Sequence, residues 1–358
     1  MTAEEYEFLH AYEYPELARR YVFSEDMWMD LERASATEWE NLASRGTSKA
    51  GVEKISERAC IYVTGSLARY EAELTSDLDL FVMDAIKDEN DRLTYIENSH
   101  LISSLDHVRS EVGFRPFSKG GKYIHTHSLH EIIGQTGSQQ DDALNTFTAR
   151  ILLLINSKPL LNEHAYEFSW RRVLDRYWQN FDPEKPYLPI MLMNDIRRWW
   201  GVLGLNFEER NLKSRLDGSD AFLPNPEREI NNLKLRYSRL IACYSVLVAF
   251  VYRSTHKGIL RGEAEQILRL TPVERFLYLL SVAQDDKPIM ARRIDNVLHQ
   301  YNDYLVLAAT PHDELVRMFS SDTFRHEQKN KAYEFHRDFF ELFEATGRGK
   351  LLYEYAVL

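Results

Sequence analysis

Two short apolar runs early in the chain have the length and composition of β-strands. Cys60–Val63 is rich in strand-forming residues, and Asp77–Met83 alternates acidic and apolar residues at its start. Gly65 and Ser66 interrupt the apolar pattern soon after the first run. Leu67–Glu73 contains good helix formers and neither glycine nor proline. The pattern predicts a strand, a turn through glycine, a short helix and a second strand.

Most of the remaining chain has apolar residues at helical rather than strand spacing. Residues 1–58 have a helical pattern, and from Ile190 onward no strand pattern rises above the helical one. The exception is a pair of runs, Val108–Phe117 and Lys122–Leu129, separated by the glycine-containing stretch Ser118–Gly121. Such a stretch between two runs is typical of a β-hairpin, so we expect these runs to pair with each other.

A proline-rich stretch divides the chain. Asn180–Pro189 contains three prolines and therefore marks the preferred domain boundary. We expect an α+β fold with a small mixed sheet flanked by helices, followed by an all-helical domain. The predicted parts are an N-terminal helical segment at 1–58, the sheet-containing core at 59–182 and the helical domain at 183–358.

Composition limits the classes of function. The chain has 358 residues, an apolar share of 44% and an aromatic share of 12%, which is typical of a globular protein. Its formal net charge of −11 argues against a broadly basic surface for duplex nucleic acid, although a local basic groove stays possible.

Cysteine usage and hydropathy bear on the compartment. The two cysteines, Cys60 and Cys243, show no metal-ligand spacing, which favours a reduced, cytoplasmic protein. The opening residues Met1–Glu5 lack the basic and apolar regions of a signal peptide. Long apolar runs such as Leu240–Tyr252 are too short and too interrupted to cross a bilayer, so no membrane partner is expected.

Phosphate chemistry is suggested by the segment between the two strands. A strand that turns through Gly65 into a helix leaves backbone N–H groups free for phosphate, and Ser66 adds a hydroxyl donor. Alternation along the second strand places Asp77 and Asp79 on one face. Two neighbouring carboxylates repel each other unless a cation lies between them, and Mg²⁺, or Mn²⁺ in its place, prefers such oxygens.

These residues resemble a known signature. Gly65-Ser66 followed by Ser76-Asp77-Leu78-Asp79 is similar to the Gly-Ser and Asp-x-Asp motif of the DNA polymerase β-like nucleotidyltransferase superfamily. Within it, the segment is most similar to the GlnD-like protein-modifying enzymes. The resemblance implies a nucleotidyltransferase core that binds a nucleoside triphosphate such as ATP. The motif adds Arg69 and Ser76 to Gly65 and Ser66 as nucleotide-binding candidates.

The superfamily uses a third carboxylate, carried on a later strand, and its position here is not marked. Glu111 is the best-placed candidate, because it falls on the face of the predicted Val108–Phe117 strand opposite the apolar residues. Asp106 and Glu131 are alternatives. If none of them reaches the Asp-x-Asp pair, catalysis is in doubt, and nucleotide binding without turnover is the alternative.

Other candidates lie outside this motif. The resemblance implies that a helical domain supplies basic residues to the triphosphate, and Lys234 and Arg236 on a predicted helix could fill that role or lie on a solvated face. His125 and His127 share one face of a predicted strand, a spacing that suits metal ligands. Because no third ligand is evident, we interpret both histidines as facing solvent.

Two hypotheses follow from these residues. The first is a Mg²⁺-dependent, two-metal nucleotidyltransferase that moves a nucleoside monophosphate from a nucleoside triphosphate to an acceptor hydroxyl, with both metals held by Asp77 and Asp79. The resemblance favours a protein acceptor, while RNA, a small molecule and a second nucleotide stay open. The second is a nucleotide-binding or regulatory module of the same fold that performs no turnover.

Overall fold

A computed structural model describes residues 13–41, 49–85, 92–121, 124–216 and 225–357. The chain divides into two compact units. The sheet unit spans Arg19–Asn180, and the helical unit combines Met1–Ala18 with Phe181–Leu358. The dividing point between Asn180 and Phe181 lies close to the predicted boundary after residue 182. The predicted N-terminal segment at 1–58 does not form a unit of its own, because its part from Arg19 onward belongs to the sheet unit.

The elements of the sheet unit, together with a first helix that begins just before it, alternate between helices and short strands. In chain order they are α1 (Pro15–Asn41), α2 (Lys49–Arg58), β1 (Ala59–Thr64), α3 (Gly65–Ala68), β2 (Asp79–Asp84), α4 (Tyr95–Val112), a 3-10 helix (Ser118–Gly121), β3 (Thr126–Ser128), α5 (Leu129–Gly134), α6 (Gln140–Ala143), α7 (Thr146–Ile155), β4 (Lys158–Leu161) and α8 (Glu163–Tyr177).

The four strands form one mixed sheet in the order β3-β2-β1-β4. β1 is antiparallel to both β2 and β4, and β2 is parallel to β3. Every residue of β1 is buried, as expected for a central strand covered on both faces. This small sheet within a mostly helical chain gives an α+β fold.

Alternate residues of the central strands contact different helices. Ile61 and Val63 belong to an apolar cluster with Leu31 of α1 and Leu105 of α4. On the other face, the Tyr62 hydroxyl donates a hydrogen bond of 3.1 Å to the Ala149 carbonyl of α7. The sheet is thus a layer between helices, and the end of β1 is held firmly in place.

The predicted strand Val108–Phe117 is wrong. Val108 and Val112 belong to α4, which starts at a reciprocal capping box between Thr94 and Glu97 and ends at Gly113 with a φ of 89°. An apolar spacing of four residues fits a helix as well as a strand face, and the caps decide for the helix.

The predicted hairpin is also wrong. Ser118–Gly121 forms a turn of 3-10 helix, and the strand that follows is limited to Thr126–Ser128. This strand pairs in parallel with β2, with Val82 opposite Thr126. Parallel partners cannot be joined by a tight hairpin turn, so the connection through α4 takes that role.

The helical unit consists of consecutive helices with short connections. They are α9 (Ile190–Leu216), α10 (Pro226–Lys234), a π-helical segment (Leu235–Arg239), α11 (Leu240–Arg253), α12 (Arg261–Arg269), α13 (Pro272–Asp286), α14 (Pro288–Ala308), α15 (His312–Phe319), α16 (Asp322–Gly347) and α17 (Leu351–Val357). In its described part, extended pairing is limited to two isolated bridges, Tyr187 with Ile259 and Thr255 with Gly258.

One continuous helical stretch, Pro226–Arg253, is long and apolar enough to cross a membrane, which corrects the expectation drawn from the Leu240–Tyr252 run. The most apolar window of this stretch is 67% buried inside the protein. A core helix meets the same criterion of length and composition. The burial favours that interpretation, because α11 packs its apolar side chains against neighbouring helices.

Candidate active site

The turn after β1 brings a carboxylate against a glycine. Gly65 has a φ of +74°, a conformation that side chains with a Cβ rarely adopt. A Cβ built at Gly65 would lie 2.5 Å from Oδ2 of Asp79. The register explains this approach, because Thr64 pairs with Asp79 at the start of β2. Only glycine leaves room for the Asp79 carboxylate at this bend.

Two serine hydroxyls link the turn to the loop that leads into β2. Ser66 Oγ donates to Ser76 Oγ at 3.2 Å, and Ser76 Oγ accepts from the Glu73 backbone N–H at 2.9 Å. The Ser66 carbonyl accepts the backbone N–H of Glu71 at 2.9 Å. These bonds bring the predicted nucleotide-binding residues Ser66 and Ser76 together.

Asp77 and Asp79 are both open to solvent, whereas Leu78 and Leu80 between and after them are buried. This alternation agrees with two carboxylates on the solvent side and two leucines on the core side. The strand itself begins at Asp79 rather than at Asp77. The pair is therefore accessible at the edge of the turn, where Asp79 begins the strand and Asp77 lies in the loop before it.

The helix predicted over Leu67–Glu73 is much shorter. α3 covers Gly65–Ala68 and has no side-chain cap, and Tyr70 shortly after it has a φ of 59°. Because a single turn carries little helix dipole, the argument that a helix N-terminus attracts phosphate loses most of its force here. The close approach at Gly65 and the hydroxyl of Ser66 are what the turn offers.

Arg69 is held by a carboxylate of its own loop. Its Nε donates to Glu71 Oε2 at 2.7 Å, and both side chains are largely buried. The Glu71 backbone carbonyl in turn accepts from Arg20 at 3.0 Å. This pairing directs the Arg69 guanidinium toward the protein, so its role as a phosphate ligand stays a prediction from the motif.

The third carboxylate was predicted to lie on a strand, and this prediction is wrong. Glu111 lies near the end of α4 and is exposed, not on a strand beside the Asp-x-Asp pair. Asp106 lies on the same helix and binds Arg109 at 2.7 Å, and Glu131 of α5 binds Arg92 at 2.9 Å. Among the described residues, no group of three or more His, Cys, Asp or Glu side chains is arranged to hold a metal.

A pair of histidines lies at the strand next to β2, with His127 on β3 and His125 just before it. The imidazole centres of His125 and His127 are 4.2 Å apart, and His127 lies 5.7 Å from Phe81, which follows Asp79 by two residues on β2. His125 is exposed, as expected, but His127 is 3% exposed, which corrects the solvent-facing interpretation for that residue. Burial, and then the neighbouring His125, lower the pKa of His127 to about 3.

The predicted basic residues belong to the helical unit. Lys234 is the last residue of α10 and is exposed. Arg236 lies in the π-helical segment, where its Nε donates to Asn232 Oδ1 at 3.2 Å and its guanidinium lies 4.7 Å from the Tyr333 ring centre. Their proposed role at a triphosphate stays a prediction that the resemblance implies.

Comparison of the chain with protein-family models and with curated proteins finds no match in either case. The likeness to the nucleotidyltransferase superfamily therefore rests on the motif residues of the chain itself. Among these residues, the structure brings Gly65 and Asp79 into contact and joins Ser66 to Ser76.

Proposed function

We propose that the protein is a Mg²⁺-dependent nucleotidyltransferase that moves a nucleoside monophosphate from a nucleoside triphosphate to an acceptor hydroxyl. The observation that carries this proposal is the position of the Asp79 carboxylate, which occupies the space a Cβ at Gly65 would fill. A carboxylate, a glycine turn and a serine hydroxyl next to one another match what a triphosphate and its cation require.

The residue types fit the cation that the resemblance implies. Asp77 and Asp79 would hold Mg²⁺, or Mn²⁺ in its place. Proteins commonly bind Mg²⁺ through one or two carboxylates, and substrate phosphates complete its coordination, so two acids suffice for binding. When bound, the ion offsets the charge that builds up on the phosphate oxygens during transfer.

The chain's own residues position the triphosphate. Ser66 offers a hydroxyl to its phosphates, and the glycine at position 65 lets the Asp79 carboxylate lie against the same turn. The acceptor oxygen attacks the α-phosphorus, the bond to the bridging oxygen breaks, and pyrophosphate leaves with that oxygen. The acceptor gives up its proton, and the product is a phosphodiester or its equivalent.

A release assay for pyrophosphate tests this proposal. The wild-type protein with Mg²⁺ should release pyrophosphate from at least one of ATP, UTP, GTP and CTP when candidate protein, RNA and small-molecule acceptors are supplied. Asp79→Asn should reduce the rate on the order of a hundredfold, since it removes a charge needed in the transition state.

Glu111→Gln is the matched control, since it neutralises an exposed acid on α4. Its rate should equal that of the wild type. An equal loss in Glu111→Gln and Asp79→Asn would contradict the assignment of the site to the β1–β2 turn.

A second candidate is a nucleotide-binding module without turnover. It is favoured by the finding that the described residues contain no third acid grouped with Asp77 and Asp79. This candidate predicts that a nucleoside triphosphate with Mg²⁺ raises the melting temperature while no pyrophosphate appears. A ligand at about a hundred times its Kd adds roughly 2.7 kcal/mol of apparent stability, which a melting curve detects readily.

A further inference from the structure

A polar pocket lies within the helical unit, away from the motif residues in sequence. The enclosed space is small, about 10 Å³ for the centre of a water-sized sphere, and the wider unfilled space of about 240 Å³ includes open solvent. Two helix faces form its walls. The polar side chains that line it are Glu229, Asn232 and Arg236 on one wall and Arg325, Gln328 and Lys329 on the other.

The spacing of these residues explains why they converge. Glu229, Asn232 and Arg236 follow one another at three- and four-residue steps, which places them on one face of α10 and its π-helical extension. On α16, Gln328 and Lys329 follow Arg325 by three and four residues, so these three side chains also share one helix face. The sequence thus aims polar side chains from both helices into one space.

Two cations in this pocket have no carboxylate partner. Within the described part of the chain, neither Arg236 nor Lys329 forms an ion pair with an acidic side chain. Arg236 is oriented by Asn232 and by the ring of Tyr333, both of which leave its charge unneutralised. An arginine held in this way is prepared to accept an anion.

Arg325 is a third basic residue of the pocket and lies on α16, and its charge is already balanced by a carboxylate. It pairs with Asp322 and donates to the Phe319 carbonyl at 2.7 Å. Lys329 lies four residues further along α16, and two like charges at this spacing repel each other. Glu229 is the one carboxylate among the residues lining the pocket, so cations outnumber acids there in a chain of net charge −11.

The amide of Gln328 is a second sign of a ligand. Gln328 is 9% exposed and lines the pocket, and its side chain makes no hydrogen bond to any described residue. Its amide atoms are not among the fully buried atoms that lack a partner, so they remain accessible from the space of the pocket. An oxygen-rich anion would accept a hydrogen bond from its NH₂ group.

The π-helical segment fixes this geometry. Tyr237 within it stacks on Tyr304 and on Phe335, with ring centres 4.4 Å apart in each case. Lys234, three residues before Tyr237, is the last residue of α10. The wider π-helical turn between Lys234 and Tyr237 sets the direction of Arg236. Such single π turns inside helices are frequent at functional sites.

We propose that this pocket binds an oxyanion of the phosphate class, carried as free phosphate or as the phosphate group of a small molecule. Arg236 and Lys329 neutralise its charge, and Gln328 donates a hydrogen bond to one of its oxygens. Arg236 is shared with the predicted triphosphate role, but the proposal does not depend on the β1–β2 turn, because every residue that lines the pocket belongs to the helical unit.

Calorimetric titration of the full-length protein with inorganic phosphate, and separately with pyrophosphate, tests the proposal at constant ionic strength. The wild type should bind at least one of them saturably, with sodium chloride as the reference. Lys329→Gln removes an exposed charge and should weaken binding about tenfold. Arg236→Gln should weaken it at least as much.

Lys331→Gln provides the matched control. Lys331 lies on the same helix, but it binds Glu327 and does not line the pocket. Its affinity should equal that of the wild type. The proposal is overturned if the wild type binds neither anion beyond the chloride reference. Equal affinities of Lys329→Gln and wild type, or equal losses in Lys329→Gln and Lys331→Gln, also overturn it.

Discussion

The sheet unit contains two sets of carboxylates in opposite surroundings. Asp141 is fully buried on α6 and binds Arg150 of α7 at 2.7 Å, with both side chains at 0% exposure. Asp77 and Asp79 lie at the solvent side of the β1–β2 turn. The Asp141 carboxylate is thus enclosed by the protein, whereas the Asp77 and Asp79 carboxylates are exposed to solvent.

The partners of the buried set show what a structural charge requires. Arg150 also donates to the Tyr177 hydroxyl at 2.8 Å, and Asp141 accepts from Thr146 at 2.8 Å. Burial raises the pKa of Asp141, but the hydrogen bonds and charge of Arg150 outweigh burial and lower the pKa overall. Because Asp141 is enclosed in the fold whereas Asp77 and Asp79 are exposed to solvent, the exposed acids are the better candidates for ligand binding.

The largest expected effect separates these two sets by stability. Arg150→Met should lower the free energy of unfolding by about 3–5 kcal/mol, because it leaves the Asp141 charge buried without its partner. Asp77→Asn should leave the unfolding midpoint in urea close to that of the wild type. Urea unfolding of both variants checks this, and a large loss in Asp77→Asn would place that acid in the structural set.

The histidine pair extends the comparison to pH. The pKa of His127 is about 3 in the folded protein, below the ordinary histidine value of 6.5, so the unfolded chain binds more protons between these values. The neutral form of His127 therefore contributes fully to the free energy of unfolding above pH 6.5. This contribution is lost as the pH falls toward 3, by roughly 1 kcal/mol per pH unit.

Urea unfolding at pH 7 and pH 5 measures that loss. His127→Gln should show a smaller difference between the two pH values than the wild type. The exposed His256 serves as the control, and His256→Gln should keep the wild-type difference. An unchanged difference in His127→Gln would mean that His127 does not contribute to the acid sensitivity.

A glycine comparison tests the geometry of the open set. Gly65→Ala should cost about 1–3 kcal/mol from backbone strain and should also displace the Asp79 carboxylate. Gly137 has a similar φ of +79°, and a Cβ there would meet nothing within 4 Å. Gly137→Ala should show the cost of backbone strain alone. Urea unfolding measures the loss of stability in both variants, and equal losses would mean that the Gly65–Asp79 contact contributes nothing.

The smallest effect concerns the serine link. Ser66→Ala removes the hydrogen bond to Ser76 and should cost about 0.5–1.5 kcal/mol. Ser66→Thr retains a hydroxyl and should recover part of that loss. Nucleotide affinity, measured in the same variants by thermal shift, should fall in Ser66→Ala by more than the stability change accounts for if Ser66 binds phosphate.

Local sequence was sufficient to predict the centre of the candidate site. The run before Gly65 and the acid–apolar alternation at Asp77–Leu80 predicted two strands around a glycine turn, and β1 and β2 form there. These features depend on neighbouring residues only. The early end of α3 was not predicted, because the positive φ of Tyr70 depends on its surroundings rather than on helix propensity.

Pairing over long distances could not be predicted in this way. Glu111 was assigned to a strand because apolar residues four apart fit the periods of a helix and of a strand equally well. The capping pair Thr94 and Glu97 was the overlooked signal for α4. The parallel position of β3 beside β2 depends on contacts between distant parts of the chain. The same is true of the pocket at Arg236, which needs two helices to meet.

The most direct test of the central claim is a transfer assay with two differently labelled forms of the same nucleoside triphosphate. With a label on the α-phosphate, wild-type protein and Mg²⁺ should place the label on an acceptor. With a label on the γ-phosphate, the label should appear in pyrophosphate only. The double variant Asp77→Asn, Asp79→Asn should transfer neither label. Transfer of the γ-label to the acceptor, or undiminished α-label transfer by the double variant, would contradict the account.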